Sequence, residues 1–351
     1  VTSKPPRVLS IRSIVLFGVF VVLVAAGSAI ALLWAFGGGS PQDAAKLDAI
    51  RTTASIVLGT GGAAALALAA RRQRSTELDL VQREHDATER RDTELYSKAA
   101  EQLGSDQAPV RLAGLYALER LGQSSPSHRQ TVVDLICAYL RMPYSREGTE
   151  TKRDPKEELH VRVAAQKILG RHLKRFDPLA GEENYWPWMA VDLSGAVLID
   201  LDFRGTGLTE ATFTGATFGG FTSFRGAQIS GGADFERATF EDDVTFAKAK
   251  FSGRAMFGFA TFRGGLSSFT GVIFRASADF EPATFEGAAS FREASFHGQF
   301  RANYAKSPGA MDVGDAVFNP EFEPPPGWEF GARNAEGLCP LVRSTGEAAT
   351  P

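Results

Sequence analysis

Hydrophobic and polar positions change texture four times along the chain. Ser13 to Phe36 (SIVLFGVFVVLVAAGSAIALLWAF) runs for 24 residues without a charge, and Thr52 to Ala70 is a second uncharged stretch, richer in Ala and Gly and stopped by Arg71, Arg72 and Arg74. At about 1.5 Å per helical residue, such stretches are long enough to cross a hydrocarbon core of about 30 Å, which predicts transmembrane helices over 13–36 and 52–70. A signal peptide competes for the first stretch, but its apolar region would be shorter, and here a second apolar stretch follows at once. Lys4, Arg7 and Arg12 precede the first stretch and the arginine cluster follows the second, whereas the loop 37–51 holds only Lys46 and Arg51. The positive-inside rule then puts both termini in the cytoplasm, with 1–12 a cytoplasmic tail and 37–51 an extracytoplasmic loop. Gly59, Gly62, Ala63 and Ala67 would let another helix approach closely, either the first span or a second subunit of a homo-oligomer. The string GTGG lies inside this apolar stretch without a following GK[ST], so it reads as membrane packing and not as a phosphate loop.

Beyond Arg74 the pattern becomes polar and free of Pro, with no Gly before Gly104, which predicts a helical connector over 71–104. Its mixed charges read as a solvated face, and its apolar heptads are not sustained enough for a coiled coil. Val110, Ala113, Leu115, Ala117, Leu118 and Leu121 then mark an amphipathic helix between Pro109 and Gly122. Two more helices are expected, one from His128 to near Pro143 and one over HVRVAAQKILGRHLKRF, separated by an exposed charged loop from Arg146 to Glu158. These helices make a small α domain over 105–176, with a linker over 177–190.

From Val191 a large apolar residue recurs first at every fifth position: Leu193, Leu198, Phe203, Leu208, Phe213 and Phe218. The series continues through Phe224, Ile229, Phe235, Phe240, Phe246, Phe251, Phe257 and Phe262, mostly in alternating steps of six and five. After a seven-residue step across Gly264-Gly265 it resumes at Phe269, Phe274, Phe280, Phe285, Phe291 and Phe296. Five is not a helical period. Two positions before most centres stands a small residue, as in Ala233, Ala238 and Ala255, and residues two apart in an extended segment face the same side. Each unit therefore offers one large and one small group to an interior and must then turn, so the chain coils as a solenoid.

The formal net charge is −3, with 44% hydrophobic and 23% charged residues, which excludes a strongly basic nucleic-acid binder and a disordered acidic chain. Cys137, among Leu135, Ile136, Ala138 and Leu140, reads as an inert core thiol; Cys339 reads as exposed and without a role. Two cysteines cannot make a disulfide framework or a four-ligand zinc site. His160 and His172 are not an i, i+4 metal pair and read as surface or interface residues.

Ala211-Thr-Phe-Thr-Gly-Ala-Thr-Phe218 and the units around Phe235 and Phe240 resemble the pentapeptide-repeat family. That resemblance implies a right-handed quadrilateral β-helix over 191–304, with four units per coil and the central Leu or Phe pointing inward. Twenty centres would then make five coils, about 24 Å of stacked length at roughly 4.8 Å per coil. The extra residue of the six-residue steps is expected as a bulge at corners. Glu101-Gln-Leu-Gly-Ser105, the run Val110 to Leu121 and Val163 to Arg171 resemble the HEAT-like segment that precedes the repeats in membrane-anchored bacterial members of that family.

The expected architecture is thus a transmembrane helical hairpin, a small α-helical domain and an all-β solenoid. A C-terminal cap is expected over 305–330, where Pro320, Pro324, Pro325, Pro326, Phe322, Trp328 and Phe330 would cover the open core, and a mobile tail over 331–351. The sequence carries no P-loop, GxSxG, zinc spacing or Rossmann glycine pattern, so no catalytic, cofactor-binding or metal-ligating residue is expected. The functional expectation is a noncatalytic scaffold at the cytoplasmic face of a bacterial membrane, with the lipid bilayer and unidentified proteins as partners. One role in the resembled family, mimicry of duplex DNA to inhibit a topoisomerase, needs a strongly negative rod. Asp234, Glu236, Glu241, Asp242 and Asp243 form the densest acidic patch and the candidate interaction site, but Arg237, Lys248 and Lys250 dilute it, and nucleic acid is not an expected partner. An oligomeric membrane sensor or gate is a further alternative, without a charge inside either span to mark an ion path.

Overall fold

The structure is a computed structural model that describes residues 41–144, 153–175, 184–302, 311–324 and 328–343, together with seven helical positions between Leu23 and Trp34. The chain divides into two compact units, Val1–Ala87 and Thr88–Pro351.

Helix α1 (Pro41–Leu103) is continuous for 63 residues. Pro41 to Arg51, expected as an extracytoplasmic loop, are therefore helical, with Pro41 at a first-turn position that needs no amide donor. Most of 13–36 lies outside the described residues, as do the side chains of 56–68. Among the described residues, no helix is long and apolar enough to cross a membrane. Residues 69–91 of α1 are exposed, with an i, i+4 ion pair between Arg83 and Asp79 at 3.2 Å.

In the second unit, α2 (Ala108–Ser124), α3 (Arg129–Arg141) and α4 (Pro155–Leu173) form a small helical region. Helix α4 starts earlier than its hydrophobic pattern indicates: Asp154 caps it by accepting hydrogen bonds from the amides of Lys156 and Glu157, and Pro155 occupies the first turn. Pro155 to Glu158 are thus helical and not loop, while 145–152 lie outside the described residues. Glu158 is buried because it answers two buried arginines. Arg162 Nε donates to Glu158 at 3.1 Å and its Nη1 donates to the Leu140 carbonyl at 2.8 Å, and Arg111 Nη2 lies 3.0 Å from the other carboxylate oxygen.

The β-solenoid has four faces of parallel strands. Face 1 holds β1 (Met189–Asp192), the second half of β3 (Gly207–Thr212), β7 (Ala233–Asp234), β11 (Ala255–Met256), β15 (Ala278–Asp279) and β19 (Phe300–Arg301). Face 2 holds β2 (Val197–Ile199), β4 (Thr217–Gly219), β8 (Thr239–Phe240), β12 (Thr261–Phe262) and β16 (Thr284–Phe285). Face 3 holds β5 (Thr222–Ser223), β9 (Val244–Thr245), β13 (Leu266–Ser268), β17 (Ala288–Ser290) and β20 (Met311–Asp312). Face 4 holds the first half of β3, then β6 (Gln228–Ile229), β10 (Lys250–Phe251), β14 (Ile273–Phe274), β18 (Ser295–Phe296) and β21 (Val317–Phe318).

Equivalent residues pair coil to coil, as in Thr217 with Thr239 and Thr239 with Thr261. The register steps by 20 where Val197 meets Thr217, by 22 along most of the length, and by 23 where Thr261 meets Thr284. The longer coil contains Gly264-Gly265. Corners alternate in kind. At most five-residue corners the second residue after the centre takes a left-handed conformation: Gly195, Gly205, Gly215, Gly226 and Gly271, and also Arg237, Lys248, Phe259 and Glu293. The extra residues sit at the other corners, where successive coils come so close that a Cβ on Gly253 would overlap the Gly231 carbonyl.

Phenylalanines stack along each column: Phe213, Phe235, Phe257 and Phe280 lie 4.6–4.9 Å apart at 2–12°. Neighbouring columns meet edge to face, as in Phe246 and Phe257 at 5.5 Å and 85°.

Both ends of the solenoid are covered. The helical region covers the first coil, whose strands would otherwise present unpaired backbone. Gln130 accepts from the amide of Ala190 at 3.0 Å and donates to its carbonyl at 2.9 Å, while Gln166 accepts from the amide of Ile199 at 3.0 Å. Each amide side chain acts as a neighbouring strand would. Trp186, expected in a linker, is fully buried, and it seats against Gly122, where a Cβ would strike the indole ring. The linker residues 176–183 lie outside the described set.

At the far end the repeat pattern resumes after the undescribed 303–310. Met311, Val313 and Ala316 take up inward or half-buried positions, and Phe318 stacks on Phe296 at 4.6 Å. Phe300 stands in the small-residue column paired with Ala278 and packs over Phe296 at 4.5 Å, filling the last layer. Strand β22 (Trp328–Phe330) and strand β23 (Cys339–Arg343) then pair antiparallel, and β23 pairs with β21. Residues 331–343 therefore belong to the cap and not to a mobile tail, and Cys339 is buried because its strand lies over the end of the core. Residues 344–351 lie outside the described set.

Candidate interaction surface

All twenty repeat centres, from Leu193 to Phe296, lie in the core and are no more than 2% exposed. They hold the coil together and present nothing to a partner. What a partner can meet are the residues just before and after each centre, which the pleat turns outward. On face 2 the preceding residues form a threonine column, Thr217, Thr239, Thr261 and Thr284.

The candidate acidic patch is divided by the fold. Asp234 and Glu236 lie on face 1, whereas Glu241 lies on face 2 and Asp242 and Asp243 occupy the corner leading to face 3. Three of the five carboxylates tie the backbone. Asp234 accepts from the Glu236 amide at 2.8 Å, Asp242 from the Gly220 amide at 2.6 Å, and Asp243 from the Leu266 amide at 2.9 Å. Later coils add Asp279, Glu281 and Glu286 to the same two faces, against Arg237, Arg263 and Arg301; Arg301 bridges Asp279 at 3.5 Å and Glu281 at 3.0 Å, and Arg263 lies 3.8 Å from Glu286.

The opposite side has the opposite sign. Arg225, Lys248, Lys250, Arg254, Arg275 and Arg292 lie on faces 3 and 4 and the corners that follow them, with Glu293 against them, Asp243 at the corner before face 3 and Asp312 on face 3 in the last coil. Arg292 approaches Asp312 and Asp315 at 3.9 Å; the other five cations make no ion pair among the described residues. The sequence reading missed this basic side because the charges alternate along the chain. Placing each charge by its position within the 22-residue coil reveals the sorting.

The helical region holds the remaining polar chemistry. Tyr139 Oη donates to Glu158 at 2.9 Å, and its hydroxyl pKa is raised by burial and by the Glu158 charge. Burial lowers the pKa of Arg162, opposed by the charge of Glu158. A cavity of about 140 Å³ beside Glu158 and Arg162 is lined also by Asp106, Tyr144 and Arg153. Of the surface and interface positions expected for His172, the surface one is corrected: it is buried, its Nδ1 and Nε2 each lie 2.7 Å from an acceptor, the Asn184 carbonyl and Glu119, and its ring stacks on Trp186 at 4.3 Å. The His172 hydrogen bond holds the Glu119 carboxyl below its ordinary range, against desolvation. His160 is exposed. Burial pushes the Cys137 thiol up to about 12, which leaves it protonated and unreactive near neutrality. Among the described residues, no group of three His, Cys, Asp or Glu could hold a metal ion.

Neither a curated protein nor a solved structure matches the chain. Two family models described as pentapeptide repeats do match, one over residues 189–222 with 8 copies and one over 224–267 with 9 copies. They cover the first coils and none of the helical region, and the coils after residue 267 continue the same register. Residues 189–267 are therefore pentapeptide repeats, and the β-solenoid they begin is a pentapeptide-repeat solenoid.

Proposed function

We propose that this chain is a noncatalytic scaffold whose solenoid flanks dock proteins and whose apolar segments, 13–36 and 52–70, tether it to a membrane with both termini in the cytoplasm. The observation that carries the docking part is the solid, doubly capped rod. Stacked Phe rings fill its axis, and the helical region and β21 to β23 cover its ends, leaving broad flat sides of sorted charge as the accessible surface. The tether rests on the length and lack of charge of the two segments. A HEAT-like identity for 105–176 belongs to the same reading and is supported by three packed helices that present a surface to the first coil. Mimicry of duplex DNA is disfavoured physically, because a duplex is negative on every side and this rod is basic on two of its four faces.

The test is site-specific photocrosslinking of the full chain in intact cells, with the probe at outward positions Thr261 and Ser252 and at buried Phe257 as control. Capture of a discrete protein from the outward sites alone supports docking, and no capture above the buried control overturns it. Alkaline extraction of membranes from the same cells tests the tether: retention of the full chain and release of a chain lacking 1–74 supports it, and release of both overturns it.

A further inference from the structure

The sorting of charge by face names one partner for the surface proposed above, and the inference rests on that reading. We propose that the acidic side of one solenoid docks against the basic side of a second copy of this chain.

Complementarity is the first support. Faces 1 and 2 and their corners carry Asp234, Glu236, Glu241, Asp242, Asp279 and Glu286 against Arg237, Arg263 and Arg301, with Asp279 and Glu286 already bridged to Arg301 and Arg263, and faces 3 and 4 and the corners that follow them carry Arg225, Lys248, Lys250, Arg254, Arg275 and Arg292. The second support is spacing. Both sides are built on the same coil, so their charged rungs recur at one interval of about 4.8 Å, and acidic rungs on one copy can meet basic rungs on the next over several coils. The third is accessibility. The helical region covers one end and β21 to β23 cover the other, so the flanks are what two copies can share. Five of the six cations have no ion pair among the described residues, so docking does not require breaking an existing bridge for them. Because the two surfaces differ, the contact is heterologous; it passes from copy to copy, as a ring or an open array, and does not close as a two-fold dimer.

Such a contact is electrostatic and should weaken with salt, since the screening length falls from about 10 Å at 0.1 M to about 3 Å at 1 M. The full chain in neutral detergent is examined by sedimentation at about 20 mM and about 500 mM salt, and association should weaken about tenfold or more. Lys248→Glu, Lys250→Glu and Arg275→Glu together should abolish the salt-sensitive association, as should Glu236→Lys, Glu241→Lys and Glu286→Lys together. An equimolar mixture of the two triple variants should associate again, and so should a chain carrying all six changes with its faces exchanged. Circular dichroism and cooperative melting verify the folding of each variant, and the salt series on the unaltered chain decides the matter if a variant does not fold. A monomer at low salt, an oligomer indifferent to salt, or folded triple variants that do not recombine would each overturn the proposal. Photocapture of a different protein by a chain that remains monomeric would overturn it while leaving the scaffold reading intact.

Discussion

The helical region and the solenoid it caps solve the same problem, closing an apolar core, by opposite means. In the solenoid every coil repeats the last. A Phe stacks on a Phe, an Ala follows an Ala, and outward positions are free to carry charge. In the helical region no role recurs periodically. Glu158 is buried to answer Arg111 and Arg162, Gln130 and Gln166 serve as surrogate strand edges, and Trp186 fills the space left by a glycine. The difference teaches where specificity resides: a repeat distributes it over many equivalent layers, whereas the cap concentrates it in single residues.

The largest expected effects test this contrast directly. Glu158→Ala leaves two arginines buried without their shared counter-charge and should destabilise the cap by about 3–5 kcal/mol. Phe257→Ala removes one ring from a column with neighbours at 4.9 and 4.6 Å and should cost a comparable 3–5 kcal/mol. Amide hydrogen exchange distinguishes their reach. The loss of protection from Phe257→Ala should spread to the coils on either side, and that from Glu158→Ala should stay in the helices and first coil. Equal loss everywhere from either change would show one cooperative unit and end the contrast.

A smaller change probes the junction. Gln166→Ala leaves the Ile199 amide without its partner and should cost about 1–3 kcal/mol by denaturant unfolding, with Gln166→Glu, which keeps an acceptor, recovering part of the loss. The smallest effect has the opposite sign. Glu293 is exposed at a left-handed corner (φ 57°) where earlier coils place Gly, so Glu293→Gly should stabilise the solenoid by about 0.5–1 kcal/mol in thermal melts. A destabilisation there would show that the corner side chain contributes a contact beyond backbone strain.

Much of the solenoid was legible because its signal is periodic. Each inward Phe is specified about twenty times over, so the centres, their small companions and the need for end caps can be read from spacing. The sixth coil was not, because Met311 and Val313 stand where Phe or Ala usually would, and Phe300 occupies a small-residue position to fill the last layer. The start of α4 was hidden because Pro155 to Glu158 look like solvated loop until Asp154 is recognised as the cap and Glu158 as the partner of arginines far away in sequence. For Cys339 local composition suggested exposure, and for His172 a surface or interface position; tertiary neighbours buried both.

By itself the sequence determined the period, and with it a coiled chain, since only a turning chain can bring a residue at every fifth or sixth position to a common interior; that the coil has four sides was implied by the family resemblance and is shown by the strand pairing. It also determined where the uncharged apolar segments lie and where the middle of each helix of the second unit lies, because those signals are local, but not the start of α4 or the helical state of 41–51. Only the tertiary structure decided which face each outward residue occupies, and therefore that charges alternating along the chain separate into an acidic side and a basic side. The reason is geometric: inward identity depends on the spacing between neighbouring units, whereas outward neighbourhood depends on residues about 22 positions apart, at a register set by where each corner takes its extra residue.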